Sequence, residues 1–506
     1  MRDCGRRKRT GASAVLLVVA AVPAPALTAQ ADREPRPTLT EVTGELGEGR
    51  PYTFERGVLR VPQNRADPDG PVVELEFHRF PALPEADPDT PPIVRLNGGP
   101  GWPGFGGRLD DREWMAENIL PLIRLADMVI VGQRGIGTSG PNTVCRRAPA
   151  PRAGEPFDRE AALAAAYEAA VRCRERWESE GVDLSGFNVI EAATDVRDVV
   201  EALGYDRVQI HGGSFGSHWG MAVMRFHPDI VARAVLNGME GPDHTYDMPG
   251  WVLAALERVA EDAESSGTLG DRVPEGGLIA GLRRVIERAE EEPIAVTVPR
   301  RRDTLRLELS ADDLRALATG YTRASGHRMA AWPADMIRLA EGDFADAANA
   351  VLGNRFGLGA LPWAAFFTLD CGSGISGPRL ERLLSDPGAA VVGNLGGWYE
   401  ALCPAWDADL GEDFRRNFDT DIPTVIVHGN WDLSTPLENA LELRPHFLNH
   451  RFVLVERGTH GALGEAWRRS EAFREGLERF IATGDTSGLP DVVTLPPPDW
   501  TLPSEG

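Results

Sequence analysis

The sequence predicts an α/β fold in which a mostly parallel, doubly wound sheet is covered by helices. Short apolar strands alternate with helical segments through the first half of the chain, an arrangement typical of a parallel sheet buried on both faces. One strand, 208–211, runs directly into Gly212-Gly213-Ser214-Phe215-Gly216 and then into a helical segment. Such a turn holds a serine hydroxyl clear of the backbone, and its glycines let strand and helix cross closely.

The other elements of the first half follow the same alternation. Two antiparallel strands are expected over 57–62 and 72–80, because the second alternates apolar and polar residues. Short buried strands are expected over 92–96, 128–131 and 230–236, and helices are expected over 158–181 and 188–203. The strand over 92–96 ends in a glycine-rich loop, 97–104. Its unshielded backbone N–H groups suit a negatively charged oxygen, although the pattern is equally typical of a flexible loop.

The alternation of strands and helices stops after the first half and resumes near residue 419. With an amino-terminal signal and a carboxyl-terminal tail, the chain is predicted to have five segments. The first is an export signal over 1–31, followed by a first part of the sheet domain over 32–242. A mostly helical insertion is expected over 243–418, and the sheet domain resumes over 419–484. The last segment, 485–506, is a proline-rich tail.

The amino terminus has the pattern of an export signal. The first 31 residues carry five basic side chains and one acidic side chain. An apolar run over 12–22 follows the basic residues, and Ala29-Gln30-Ala31 offers a small-x-small cleavage site. We therefore expect a secreted or periplasmic protein with no stable membrane partner after cleavage, while an uncleaved anchor stays open as an alternative.

The four cysteines that follow the predicted export signal fit an exported protein. Cys145, Cys173, Cys371 and Cys403 are an even number, which favours two disulfides in an oxidising compartment. Four cysteines allow three pairings, of which Cys145 with Cys173 and Cys371 with Cys403 close the local loops. Buried free thiols are the alternative.

Composition and charge exclude several classes of function. The formal net charge of −23 argues against nucleic acid or an anionic membrane as partner, because phosphate binding needs a basic surface. Lys8 is the only lysine, so Schiff-base chemistry, a Ser–Lys dyad and a P-loop lysine are excluded. No Cys/His spacing resembles a zinc site. We expect neither a metal nor a cofactor.

Three residues have the order and placement of a catalytic triad. A serine needs a base that takes its proton, and that base needs an acid that orients it. In hydrolases built on a doubly wound sheet the order is serine, acid, histidine, each beyond the end of a strand. Ser214, Asp432 and His460 occur in this order, each just after a predicted strand, over 208–211, 423–428 and 451–455 respectively. His211 and His428 precede such loops, so we interpret them as structural.

Several motifs of the chain resemble those of prolyl aminopeptidases. Residues 97–101, Asn-Gly-Gly-Pro-Gly, resemble the His-Gly-Gly-Pro-Gly loop of that family, and 133–139 resemble its Gln-Arg-Gly-x-Gly-x-Ser segment. The Gly-Gly-Ser214-Phe-Gly turn resembles the family's nucleophile turn. The helical insertion, the four cysteines, the segment Gly429-x-x-Asp432-x-x-Thr435-Pro436 and the export signal resemble the secreted tripeptidyl-aminopeptidase branch. Asn97 and Gly132 depart from the family's His and Asp, which puts the substrate preference in doubt.

The resemblance implies an α/β-hydrolase fold, a helical cap and removal of residues from a free peptide N-terminus. It implies that Ser214 is the nucleophile, His460 the general base and Asp432 the residue that orients it. The backbone N–H groups of Phe215 and Gly99 would form the oxyanion hole. The expected substrate is therefore a peptide, and the expected products, formed through an acyl-enzyme, are proline or short peptides released from its N-terminus.

Two other functions stay open. The first alternative is a carboxylic ester hydrolase that uses the same triad on a small ester, since the fold does not set the leaving group. A non-catalytic binding protein on a hydrolase scaffold is the second.

Recognition of a free amine requires an acidic partner for the ammonium group. Glu240, just after a predicted sheet strand, is the candidate, with a solvated surface acid as the equally weighted alternative. Four aromatic residues of the insertion are candidates for the cap side of the pocket, although core packing is also expected for most of them: Trp363, Phe366, Phe367 and Trp398.

Overall fold

The computed structural model describes residues 36–46, 50–101, 111–149, 157–299, 304–320 and 326–502. The predicted export signal, 1–31, and the last residues of the glycine-rich loop, 102–104, lie outside the described residues. The strands are β1 (Thr38–Leu46), β2 (Arg50–Pro62), β3 (Val72–Phe80), β4 (Ile93–Leu96), β5 (Met128–Val131), β6 (Val208–Gly213), β7 (Val231–Asn237), β8 (Ile294–Pro299), β9 (Thr304–Leu309), β10 (Thr424–Gly429), β11 (His450–Glu456) and β12 (Val492–Thr494).

The described helices fall into three groups along the chain. Before β7 they are α1 (Arg112–Asn118), α2 (Leu120–Ile123), α3 (Arg159–Ser179), α4 (Val189–Ala202) and α5 (Phe215–Phe226). Between β7 and β10 they are α6 (Pro249–Ser265), α7 (Leu278–Glu291), α8 (Ala311–Thr319), α9 (Gly326–Met329), α10 (Trp332–Glu341), α11 (Ala345–Gly357), α12 (Ala364–Ser373), α13 (Gly377–Leu384), α14 (Ala389–Val392), α15 (Gly397–Leu402) and α16 (Glu412–Arg415). After β10 they are α17 (Leu437–Leu443), α18 (Ala462–Arg469) and α19 (Glu471–Thr483).

Ten strands form one sheet in the order β1-β2-β3-β5-β4-β6-β7-β10-β11-β12. The pairs from β1 to β5 are antiparallel, and every pair from β5 to β12 is parallel. This mostly parallel sheet with its covering helices is the predicted α/β-hydrolase fold. Strands β1 and β12 were not predicted: β1 lies in a polar stretch, and β12 lies in the segment interpreted as a proline-rich tail.

The strands divide their side chains between two cores, because successive residues of a strand point to opposite faces. Val94 and Val129 pack in one cluster with α3, α4 and α5, whereas Ile93 and Met128 pack in another with α1, α18 and α19. Burial on both faces explains why these strands are continuously apolar.

The helices between β7 and β10 pack in two ways. Helices α6 to α11 and the β8–β9 hairpin share a core that includes Val252 and Trp332 and that also contains Trp431, Leu433 and Trp500 from outside the segment. In contrast, α12 and α15 place Phe367 and Leu402 in the core beneath the sheet. The proposed boundaries of the cap, 243–418, stay a prediction.

In the part of the chain that the structure describes, no helix combines the length and the apolar character needed to cross a bilayer. That same part contains no group of three histidine, cysteine or acidic side chains arranged to hold a metal ion.

Each disulfide joins a helix to a segment that lies outside that helix. Cys145 and Cys173 are bonded, with an S–S distance of 2.01 Å, and so join the segment after β5 to α3. Cys371 and Cys403 are bonded at 2.07 Å and join α12 to the turn that follows α15. These are the two local pairings that the sequence favoured.

Loss of the second disulfide should destabilise the protein measurably. Replacing Cys371 and Cys403 together by Ser frees a loop with a sequence separation of 32 in the unfolded chain. We expect the free energy of unfolding to fall by about 3 kcal/mol, because a cross-link of this span restricts the unfolded ensemble. Urea unfolding of both forms measures this difference. An unchanged midpoint and slope would contradict it.

Candidate active site

Ser214 lies in a strained turn between β6 and α5. Its backbone has φ 58° and ψ −136°, a conformation rarely adopted by residues other than glycine. A Cβ atom on Gly212 would lie 2.2 Å from the carbonyl oxygen of Gly216, and one on Gly216 would lie 2.1 Å from that of Leu96. Larger residues at these positions would push β6, α5 and β4 apart. The turn therefore requires both glycines, and Ser214 is left half-exposed at its apex.

Asp432 and His460 lie in the loops after β10 and β11 and contact each other directly. The Nδ1 atom of His460 is 3.0 Å from both carboxylate oxygens of Asp432. Asp432 is buried and also accepts hydrogen bonds from the backbone N–H groups of Ser434 and Thr435 and from the Thr435 hydroxyl. Burial alone would raise the pKa of Asp432, but His460 and these hydrogen bonds outweigh it and lower the pKa. The carboxylate is therefore ionised at neutral pH.

Gly238 connects the position of Ser214 with that of His460. The Ser214 N–H donates to the Gly238 carbonyl oxygen at 3.1 Å. A Cβ atom on Gly238 would lie 3.2 Å from Cε1 of His460. The serine turn and the histidine ring thus lie on either side of one glycine, whose positive φ of 51° and close neighbours leave no room for a side chain.

Gln133 holds the loop that contains Gly99. Its Nε2 atom donates to the carbonyl oxygens of Asn97 and Gly98, both at 3.0 Å, and its Oε1 atom accepts from the Gly101 N–H at 2.7 Å. Because Gln133 is buried, these three bonds fix the backbone on both sides of Gly99. A Cβ atom on Gly98 would lie 3.0 Å from Cβ of Ser214, so the loop runs directly alongside the serine.

Phe215 is the first residue of α5, so its backbone N–H lacks an acceptor within the helix. The positive end of the helix dipole is also located there. Gly99 is exposed, with a φ of 118°. Both N–H groups therefore belong to backbone that borders Ser214.

Glu240 follows β7 and is connected to Ser214 through a single hydroxyl group. The Glu240 N–H donates to Oγ of Ser217 at 2.9 Å, and that hydroxyl donates to the Ser214 carbonyl oxygen at 2.7 Å. The residue is half-exposed. Burial is the largest cause that raises the pKa of Glu240 well above its ordinary value. Its role as the partner of an amine stays a prediction, as does the alternative of a surface acid.

Two further carboxylates accompany Glu240. The charges of Asp370 and Asp247 follow burial as causes of the raised Glu240 pKa. Burial raises the pKa of Asp370 to about 7, although the Tyr399 hydroxyl, which donates to it at 2.6 Å, partly offsets that effect. Burial and then the charge of Asp432 raise the pKa of Asp247 to about 8. Three acidic side chains thus share one weakly solvated region beside the Asp432–His460 pair.

Aromatic side chains extend from the Gly99 loop to this acidic region. A Cβ atom on Gly101 would lie 3.2 Å from Phe366 and 3.3 Å from Trp363. Phe366 contacts Trp398 with a centroid distance of 6.2 Å, and Trp398 contacts Tyr399 at 5.3 Å. We call these four half-buried residues the aromatic wall. Phe367, by contrast, is fully buried against Trp406 and belongs to the core.

The sheet topology explains why distant segments meet here. The residues selected from the sequence follow the carboxyl ends of five parallel strands, which lie at one edge of the sheet. They are Gly99, Ser214, Phe215, Glu240, Asp432 and His460. The sequence did not reveal the hydrogen bonds by which Gln133 holds the Gly99 loop, although Gln133 begins the 133–139 motif. It also gave no indication of Asp247 and Asp370. No local pattern marks those two acids, because only the packing of α12 against the loop after β7 brings them together.

Comparisons with known proteins agree with this architecture. A family model described as TAP-like protein matches residues 389–492. The tripeptidyl aminopeptidases of Streptomyces lividans and Streptomyces coelicolor are each 23% identical over 485 residues, covering 88% of this chain and 84% of theirs.

Solved structures of similar topology are more distant. MGS-M2, an α/β hydrolase from a Medee basin deep-sea metagenome library, is 12% identical with a TM-score of 0.35 and coverage of 82% of this chain and 96% of its own. The 2-hydroxy-6-oxo-6-phenylhexa-2,4-dienoate hydrolase of a Rhodococcus species is 13% identical with a TM-score of 0.35, covering 88% and 100%.

The family model matches the end of the helical segment and the strands after it, and the two curated relatives align over most of the chain. The chain is thus similar in sequence to TAP-like proteins.

Proposed function

We propose that this protein is a serine aminopeptidase that releases proline or short peptides from free peptide N-termini. The observation that carries the proposal is the group of three poorly solvated carboxylates, Glu240, Asp247 and Asp370, beside the Asp432–His460 pair. Arg379 and His460 lower the pKa of Asp247 without offsetting its burial. Buried carboxylates are costly, and a peptide ammonium group would add stabilising positive charge.

The proposed reaction begins with Ser214. His460 takes the hydroxyl proton as Oγ attacks the carbonyl carbon of the scissile peptide bond, and it then gives that proton to the leaving amine. Asp432 accepts the Nδ1–H of His460, which leaves Nε2 as the base and stabilises the imidazolium that forms. Water then attacks the resulting ester of Ser214 with His460 again as base, which releases the acyl product and regenerates the serine.

The negative oxygen of the tetrahedral intermediate needs donors already in place. In the proposal these are the N–H groups of Phe215 and Gly99. Removing one such donor typically slows an enzyme about 100-fold to 1000-fold, so their position is decisive. The three hydrogen bonds of Gln133 keep the Gly99 backbone from relaxing away from Ser214.

The ammonium site is proposed to include Glu240 as the direct partner of the substrate. The Glu240 N–H donates to the Ser217 hydroxyl, which donates to the Ser214 carbonyl oxygen, so the Glu240 backbone is attached to the serine turn. Asp370 and Asp247 supply further negative charge, and the aromatic wall offers apolar surface for the side chains of those residues. A substrate with a blocked N-terminus would leave the carboxylates without a cation.

Export is part of the proposal. Two disulfides are typical of proteins that fold in an oxidising compartment, and the predicted signal over 1–31 would direct the chain there.

Substrate class is decided by a panel of peptide amides with free or acetylated N-termini, together with short acyl esters. We expect hydrolysis of the free-amine amides and loss of turnover on acetylation. The Ser214→Ala variant should keep its fold, measured by circular dichroism, and lose activity on every substrate, because the acyl acceptor is gone. Hydrolysis of esters alone, whatever the state of the amine, would instead identify a carboxylic ester hydrolase.

Replacing Glu240 by Gln should weaken binding of free-amine substrates selectively. We expect KM to rise about 10-fold to 100-fold, because a charge-assisted hydrogen bond contributes about 1.5–3 kcal/mol. Turnover of a short acyl ester should stay unchanged. Steady-state kinetics on both substrates provide the measurement, and Glu475→Gln, at an exposed position on α19, is the matched control. Equal effects on ester and amide would contradict the assignment of Glu240.

The pH dependence should differ between the two substrate types. As pH rises toward 8, Asp370 and Asp247, with pKa values of about 7 and about 8, become charged and binding of an ammonium group improves. Above about pH 8 the substrate α-amino group loses its proton, so kcat/KM should fall again. We expect this alkaline decline for free-amine amides but not for acyl esters. The same decline for both substrates would contradict it.

A further inference from the structure

His218 is a buried histidine on the nucleophile helix without a place in the proposed triad. It follows Ser214 by four residues, about one helical turn along α5. Its side chain is 2% exposed and is packed between the rings of Phe215 and Phe414, at centroid distances of 5.7 Å and 5.8 Å. Aromatic packing alone would not require a histidine at this position.

Both ring nitrogens of His218 contact other elements. Nδ1 is 2.9 Å from the carbonyl oxygen of Gly241, the residue after Glu240. Nε2 is 2.9 Å from Oγ of Ser373, which lies on α12 three residues beyond Asp370. One side chain of the nucleophile helix thus contacts the backbone next to Glu240 and a side-chain hydroxyl three residues from Asp370.

The two contacts define the protonation of the ring. A carbonyl oxygen only accepts, so Nδ1 carries the hydrogen and donates it to Gly241. Burial lowers the pKa of His218 to about 4, although the bond to Gly241 acts in the opposite direction. The ring is therefore neutral at assay pH, and Nε2 is the acceptor for the Ser373 hydroxyl. The single hydrogen of that hydroxyl is shared with the carbonyl oxygen of Leu369, which lies 3.0 Å from Oγ on the same helix. This tautomer makes both His218 contacts without a buried charge.

We propose that His218 is a positioning residue that fixes Glu240 and Asp370 relative to each other and to the nucleophile helix. It governs recognition of the peptide ammonium group and takes no part in acyl transfer. The inference rests on the proposed function of these carboxylates. Without the bridge, the loop after β7 keeps the bond between the Glu240 N–H and Ser217 on α5, whereas Ser373 of α12 loses its bond to His218. The separation of the two carboxylates is then held less firmly.

Three variants separate the two hydrogen bonds. His218→Leu removes both. His218→Asn places an amide nitrogen near the Nδ1 position and retains the bond to Gly241, whereas His218→Gln reaches the Nε2 position and retains the bond to Ser373. The matched control is His227→Gln at the carboxyl end of the same helix, where Nε2 contacts the Thr194 hydroxyl at 3.0 Å. Each variant is assayed with a free-amine peptide amide and with a short acyl ester.

We expect KM for the free-amine amide to rise about 10-fold or more in His218→Leu, with smaller increases in the Asn and Gln variants. For the ester, kcat and KM should stay within about twofold of wild type. The rate at which a fluorophosphonate labels Ser214 should stay within the same range. The His227→Gln control should leave kcat and KM unchanged for both substrates.

Three results would overturn the inference. An unchanged KM for the amide in His218→Leu would show that the bridge does not position the carboxylates. An equal loss on amide and ester, accompanied by a lower Tm in all three variants, would show that His218 only supports the fold. Wild-type protein that hydrolyses free and acetylated peptides equally would instead overturn the proposed function itself, and the positioning role with it.

Discussion

The candidate site depends on one steric constraint, the close crossing of β6 and α5 over β4. The crossing exists because Gly212 and Gly216 present no Cβ atoms to the facing carbonyl oxygens, which lie about 2 Å from where those atoms would be. It forces Ser214 into a positive φ and so exposes its hydroxyl. Every other element of the site is placed relative to this apex, including the Gly99 loop that runs beside it. Backbone strain at one residue is sustained here by the packing of three elements.

Electrostatics around the apex follow two different rules. Asp432 is stabilised as an anion, since His460, His428 and the Thr435 N–H together outweigh its burial and lower its pKa. Asp370 and Asp247 are not stabilised as anions, since burial raises the pKa of each toward neutrality. A carboxylate that already has its partner orients a base, whereas carboxylates without a cation favour a ligand that brings one. The same residue type thus serves two proposed purposes within one site, and the difference lies in the neighbours.

The sequence was informative where function depends on local geometry. The Gly-x-Ser-x-Gly turn, the order of Ser214, Asp432 and His460, and the apolar strands all follow from short-range rules that act within a few residues. Contacts between distant segments could not be predicted in this way. Asp370 meets Glu240 only because α12 packs beside the loop after β7, and β12 forms because a short apolar run finds the edge of β11. The parts of the structure that the sequence did not predict are therefore those that depend on contacts between distant segments.

The core shared by α6 to α11 bears on how this fold can diversify. Trp431 and Leu433, which flank Asp432, and Trp500 near the carboxyl end are buried in that core rather than beneath the sheet. The continuous segment between β7 and β10 is consequently not a self-contained module. A chimaera that exchanged only this segment with a relative would leave Trp431 and Trp500 facing foreign partners. Recombination, natural or engineered, preserves the Asp432 loop only when these three discontinuous pieces are inherited together.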